Sequence, residues 1–169
     1  MGGSGTGKSH AVEYIERKHG IPFIRSYTDR PQREEKDIGH TFLTPEEFDK
    51  LNKHEMIAFN DSFGARYCAL ASQVKDKTCY IIDENGLRFI RDNCEDMFDI
   101  YTLRIYRSGN LIKIDNERKD RDKNQFKMSI YDFDYAILNN TTFEEFESKL
   151  DLVVDKIFNS SYEEVFGII

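Results

Sequence analysis

The sequence predicts an α/β protein in which short strands alternate with helices, giving a parallel sheet covered on both faces. Three observations carry that expectation. "TCYIID" (78–83) is a continuous apolar run ending in an acid, as a strand buried on both faces requires. Segments of helical period stand between it and similar runs, the clearest being 143–158, whose apolar stripe is Phe143, Phe146, Leu150, Val153, Val154, Ile157 and Phe158. The chain opens on Gly2, four residues, then Gly7-Lys8-Ser9, a glycine-rich loop of the kind that leads from a strand into a helix.

The elements follow in order. Ser9 to His19 reads as a helix with Ala11, Val12 and Ile15 on one side and Gly20 as its stop. "IPFIRSY" (21–27) reads as a short strand, and the polar, turn-rich 28–40 as a loop. Residues 44–53 carry helix-start chemistry: Thr44 to cap, Pro45 in the first turn, then acids. Residues 56–70 suggest short strands around a turn at Gly64, followed by the 78–83 strand and a helix over 84–93. "DIYTLRIY" (99–106) reads as a strand, 109–131 as a helix charged in its middle, 133–139 as a strand and 143–158 as the amphipathic helix.

At 169 residues one domain with a proper core is expected, and 39% hydrophobic against 33% charged residues is a globular profile with a wet surface. No apolar run nears the roughly 20 residues a membrane span needs, and no signal-peptide pattern precedes the loop, so no membrane partner is expected. Cys68, Cys79 and Cys94 are odd in number and form no CxxC pair, which reads as reduced thiols of a cytoplasmic protein. The net charge of −7 argues against a nucleic-acid coat, which needs a basic face. Phosphate binding must come from local devices.

The opening loop is such a device. Its glycines let the backbone curl so that successive N–H groups face phosphate oxygens, and the helix starting at Lys8 adds its dipole. Gly2, Gly3, Ser4, Gly5, Thr6, Gly7, Lys8 and Ser9 thus read as an ATP-binding set. Lys8 would reach the β- and γ-phosphates, and the Ser9 hydroxyl would ligate Mg²⁺. The blander reading is a flexible glycine turn, against which stand the complete motif and the amphipathic helix that follows.

A second constellation is "RSYTDRPQREEKDIGHTFLTPEEF" (25–48), where Ser26, Arg30 and Arg33 sit after a strand at a spacing suited to one small phosphate. A solvated charged loop is the ordinary alternative. The stretch resembles the guanylate kinase family of nucleoside monophosphate kinases through Ser26, Thr28, Arg30, Pro31, Arg33, Gly39, Phe42 and Glu46-Glu47-Phe48. "FGARYCAL" (63–70) is similar to that family's turn, "IIDENGL" (81–87) to its D-x-x-G segment, and "YDFDYAILNNTTFEEF" (131–146) to its terminal motif. The resemblance runs from Gly2 to about Phe158, with the motifs in the family's order.

The resemblance implies a three-layer P-loop kinase fold over 1–169: a five-stranded parallel core sheet with helices on both faces, an acceptor-binding region near 24–76 and a short lid near 107–123. It implies that Arg30, Arg33 and Tyr67 bind the acceptor monophosphate and that Ser26 and Asp83 face its base or sugar. Asp83 has two further readings, as a water-mediated Mg²⁺ ligand and as a helix N-cap. Arg118 and Arg121, three apart in the lid, would join Lys8 as catalytic cations at the transferring phosphoryl group, a solvated mixed-charge helix being the alternative. Four positions depart from the family: His40 stands for a tyrosine, Cys68 and Ala69 for a glycine and a Ser/Thr, and Ala58 for a base-reading glutamate.

The expected activity is transfer of the ATP γ-phosphoryl to a nucleoside or deoxynucleoside monophosphate, by a monomer or homodimer with Mg²⁺ as cofactor. Two alternatives stand beside it: a non-catalytic binding module of the same fold, and the same chemistry on another small phosphate. The loop also needs a supporting strand, and only Met1 precedes it. The apolar "VFGII" (165–169) is the candidate, supplied from the C-terminus as in a circular permutant. Burying its side chains would contribute about 6–12 kcal/mol before entropy.

Overall fold

The computed structural model describes residues 1–32, 37–62, 64–112, 127–159 and 167–168. The chain forms two compact units, Met1–His19 with Ile100–Ile169, and Gly20–Asp99.

The first unit contains helix α1 (Lys8–His19), strands β7 (Leu103–Tyr106), β8 (Tyr135–Leu138) and β9 (Gly167–Ile168), and helix α4 (Phe143–Asn159). The strands pair in the order β7-β8-β9, all parallel, with Leu103 opposite Tyr135 and Tyr106 opposite Leu138. Tyr135, Ala136 and Ile137 of β8 are buried, and so are Phe146, Leu150 and Val153 of α4. Three consecutive buried residues mean that both faces of β8 are covered, and the i, i+4, i+7 spacing of Phe146, Leu150 and Val153 gives α4 one buried stripe. The two helices are also tied by polar contacts. The Tyr14 hydroxyl donates to Asp151, His19 Nε2 lies 2.7 Å from the same carboxylate, and His10 Nε2 lies 3.0 Å from Glu147. Burial and the Asp151 charge push the Tyr14 phenol up from its ordinary pKa, so it stays a donor.

The second unit contains β1 (Phe23–Ile24), β2 (Ser26–Thr28), β3 (His40–Phe42), α2 (Pro45–Phe48), β4 (Asn60–Ser62), β5 (Ala65–Cys68), β6 (Cys79–Tyr80) and α3 (Glu84–Cys94). β1 and β6 pair in parallel as a two-stranded sheet, and β3-β2-β5-β4 form a mixed sheet. Gly64, at φ +72°, makes the turn between β4 and β5, as the sequence predicts. Thr44 caps α2 as expected, and the cap is reciprocal: Thr44 Oγ1 accepts from Glu47 N, and Glu47 accepts from Thr44 N. It is shorter than the predicted 44–53, because Asn52 caps a separate 3-10 turn at Lys53–Glu55 by accepting from His54 N.

The arrangement is α/β, with small parallel and mixed sheets where one five-stranded parallel core is expected. The predicted 109–131 helix lies mostly outside the described residues; at its described ends stand 3-10 turns, Gly109–Leu111 and Ile130–Asp132.

The expected placement of 165–169 between inner strands beside Met1 is corrected by the pairing. Gly167–Ile168 is parallel, as predicted, but lies on the outer edge of β8, with Tyr135 opposite Gly167 and Ala136 opposite Ile168. The edge of β7 is taken by Met1 itself, whose amino nitrogen donates to Leu103 O at 2.6 Å and whose carbonyl accepts from Ile105 N at 2.9 Å. Backbone groups already paired there leave no ladder for a second strand, whereas the far side of β8 offers one. Residues 165, 166 and 169 lie outside the described residues.

Candidate functional site

In the first unit the site is the phosphate loop. Met1 anchors its start on β7, and the loop then turns at Gly2 with φ +152°, where a Cβ would stand 2.5 Å from Ile105 O. At Gly7 (φ +106°) a Cβ would stand 2.7 Å from Asn139 Nδ2. Both positions are open to glycine alone because the loop is pressed onto strand ends. Asn139 follows β8 and is buried; its Nδ2 donates to Thr6 O at 2.8 Å, while its backbone N donates to Tyr106 O. The Thr6 hydroxyl donates to Gly3 O at 2.9 Å, and Lys8 Nζ donates to the same carbonyl at 2.7 Å. α1 begins at Lys8, and Ser9 is exposed in its first turn.

The loop residues Gly2 to Ser9 therefore form one curled segment ending in a helix N-terminus, with a lysine over it. That arrangement binds anions: helix N–H groups, dipole and ammonium act together. Asn139, which holds the loop in place through Thr6 O, is a residue that residue-by-residue reasoning missed. Its only sequence signal was its place after a buried strand, inside the terminal motif.

In the second unit two of the predicted acceptor residues, Ser26 and Tyr67, share one face of the mixed sheet. Thr28 lies opposite both Phe42 and Tyr67, and Tyr67 opposite Asn60; Ser26 lies opposite His40. Cross-strand partners share a face, so Ser26, Thr28, His40, Phe42, Tyr67 and Asn60 line one side. Ser26 Oγ is 3.0 Å from the Tyr80 hydroxyl. Burial pushes that phenol far up, which keeps it neutral.

Arg30 follows β2 and is 91% buried, its exposure being 9%. Its guanidinium lies 4.9 Å from the centre of the Phe42 ring, donates to Pro31 O at 3.1 Å and pairs with Asp37. Asp37 also meets His40 Nδ1 at 2.7 Å. Burial alone would raise the Asp37 pKa, but the His40 and Arg30 contacts outweigh it and hold the carboxyl below its usual value. Arg30 thus sits in a built anion position, with an internal carboxylate as its present counter-charge.

Asp83 caps α3, accepting from Gly86 N at 2.8 Å, and its other oxygen accepts from Asn60 Nδ2 at 2.5 Å. The N-cap reading is therefore observed, and Asp83 and Asn60 form one polar pair at the end of the Tyr67 row. The sequence pointed to Asn60 only as a neighbour of Ala58. Ala58 itself is buried and apolar, with 2% exposure. Arg33, Arg118 and Arg121 lie outside the described residues. Arg66 is bound by Asp29 at 2.6 Å and by Asp49, and it braces β5 against α2.

Among the described residues no group of three His, Cys, Asp or Glu stands together as a metal cluster, and no helix is long and apolar enough to cross a membrane. The three cysteines are free thiols; Cys68 and Cys94 are buried and Cys79 is half-buried. Burial pushes the Cys68 thiol up to about 12.

No family model matches the chain, and no curated protein matches it. Among solved structures, the crystal structure of guanylate kinase from Anaplasma phagocytophilum is similar, with a TM-score of 0.67 and 21% sequence identity. The match covers 95% of this chain and 85% of that one. At this identity the likeness establishes a guanylate kinase-like α/β fold.

Proposed function

We propose that the chain is a P-loop kinase that transfers the γ-phosphoryl of ATP to a nucleoside or deoxynucleoside monophosphate. The observation that carries the reading is the braced loop Gly2–Ser9 with Lys8 over it, in a chain whose fold is that of a guanylate kinase. On this reading the β- and γ-phosphates replace Gly3 O as the partner of Lys8 Nζ. The acceptor monophosphate takes the Arg30 guanidinium in competition with Asp37, and Tyr67 and Arg33 complete its ligands. Ser26 and the Asn60–Asp83 pair meet its base or sugar.

No covalent enzyme intermediate is required. Catalysis rests on holding two phosphates in line and neutralising charge as it develops, by Lys8 together with Arg118 and Arg121 of the proposed lid. Mg²⁺ bound with the triphosphate supplies further charge neutralisation. The exposed Ser9 hydroxyl is a hard oxygen of the type that ion takes, and an ion that keeps most of its water and phosphate ligands needs few from the protein. Both Asp83 oxygens already accept hydrogen bonds from Gly86 and Asn60, which favours the acceptor role over the metal role for that carboxylate.

The test is release of ADP from Mg²⁺–ATP, assayed against each common ribo- and deoxyribonucleoside monophosphate. At least one acceptor should raise ADP release well above the acceptor-free rate. Mg²⁺–ATP binding with no acceptor-stimulated turnover would remove nucleoside monophosphates as acceptors and leave a binding module of this fold or a kinase of another small phosphate.

A further inference from the structure

The segment after β7 carries a cation that the motifs do not use. Arg107 follows Tyr106 directly, is half-buried, and its Nε is buried without a hydrogen-bond partner among the described residues. A buried guanidinium N–H left without an acceptor costs free energy, and such an exception in a polar site calls for a missing partner.

The surroundings say what kind. Arg107 is bracketed by fixed residues on both sides. Tyr106 O accepts from Asn139 N at 2.8 Å. Ser108 N donates to Asn140 Oδ1 at 2.8 Å, and Asn140 Nδ2 donates to Ser108 Oγ at 2.6 Å. Asn139 in turn holds the phosphate loop through Thr6 O. On the other side of β7, Ile105 supports Met1 and Gly2 at the loop's start. Two residues of β8's exit thus tie the loop and the Arg107 segment into one frame at the carboxyl ends of parallel strands, where α/β sheets bind ligands. An arginine one residue from that frame, its backbone held on both sides, suits an anion held by the loop.

We infer that Arg107 is an additional ligand of the donor's polyphosphate chain. The inference rests on the phosphate-loop reading above. The guanidinium reaches the anion that the loop N–H groups and Lys8 hold, and Asn140 is a positioning residue that sets Arg107 through Ser108.

Isothermal titration of the full chain with Mg²⁺–ATP, and separately with Mg²⁺–tripolyphosphate, tests it. Arg107→Gln should weaken both by roughly ten- to a hundredfold, the scale of one charge-assisted hydrogen bond. Arg107→Lys, which keeps charge and stem, should lose less and guards against a folding defect in the glutamine variant. Arg17→Gln, at an exposed arginine of the same unit, should change neither affinity. Unchanged affinities in Arg107→Gln would overturn the inference. So would a loss confined to ATP with tripolyphosphate unaffected, which would put Arg107 on the base or ribose. Failure of the unaltered chain to bind either probe would instead remove the phosphate-loop reading itself.

Discussion

Lys8 Nζ lies 2.7 Å from a carbonyl of its own loop, a place that a phosphate oxygen can take over at little cost in side-chain entropy. Lys8→Ala should leave the fold intact and lower turnover by about 10²–10³-fold, the scale for one preorganised charge stabiliser; an unchanged rate in a folded variant would remove the assignment. On the proposed function Arg30 serves the other substrate, the acceptor monophosphate. Its removal should raise the acceptor KM by more than tenfold while ATP affinity stays put, since a charge-assisted contact is worth about 1.5–3 kcal/mol. The base is read differently. Ala58, buried and apolar, cannot accept hydrogen bonds from guanine N–H groups, and an apolar contact rejects a mismatched base weakly. Guanine preference should therefore be slight in a kcat/KM comparison of monophosphates. A preference above about a hundredfold would assign the reading to Asn60 and Asp83. At this scale candidate residues were legible where motif and described partner are both local, as at Lys8 and Arg30, whose partners Gly3 and Asp37 lie five and seven residues away. Asn139 and Asn60 were not, because each acts across the chain, on Thr6 and Asp83, and such pairing needs the register of two strands.

Helices were legible for a related reason. α2 starts where Thr44 and Glu47 reciprocally cap it, and α1 stops at Gly20 with φ +69°, both local signals. Strands were less so: the run 78–83 yields only Cys79–Tyr80, and 21–27 divides into β1 and β2 at Arg25. Burial also differs from the expectation, since Cys79 and Tyr80 are half-buried where a strand covered on both faces is expected, and strand length depends on how far a neighbour's backbone stays in register. The joint between β2, β5 and α2 is electrostatic. Asp29 accepts from Arg66 N at 2.7 Å and from its Nε at 2.6 Å. Burial would raise the Asp29 pKa, yet the Arg66 bonds and charge prevail and hold it below the ordinary 3.8. A carboxyl depressed by folding contributes stability above its unfolded pKa, and that contribution is lost as pH falls through the folded value. Urea melts should therefore show stability dropping as pH falls below about 4, and Asp29→Asn, less stable near neutrality, should show a smaller drop over the same range. Equal slopes for the two proteins would mean that the pair does not contribute.

The whole chain presents a phosphate loop whose support is divided. Met1 hydrogen-bonds to Leu103 and Ile105, Asn139 to Thr6, and β9 stands on the far side of β8. The expectation that C-terminal residues form the loop's own strand took its force from composition, since "VFGII" needs burial somewhere. Composition sets only the demand for a sheet position; which edge satisfies it is decided by backbone groups already paired. The consequence is measurable. A strand between β7 and the loop would have made truncation fatal to ATP binding. An edge strand registered with β8 at two positions contributes differently: Tyr135 and Ala136 remain in place through β7, to which they are paired in their own right. Ending the chain at Asn159 should then lower the melting temperature, because the backbone pairing on that edge of β8 is lost, while Mg²⁺–ATP affinity measured well below that temperature changes by less than about threefold, within what indirect effects on a site amount to. The comparison has to be made on the folded fraction, which near-ultraviolet dichroism reports. A truncated chain that keeps its tertiary signal yet binds Mg²⁺–ATP ten times more weakly would show that the C-terminal residues support the phosphate loop after all. The loop's brace would then have to be sought beyond Met1 and Asn139.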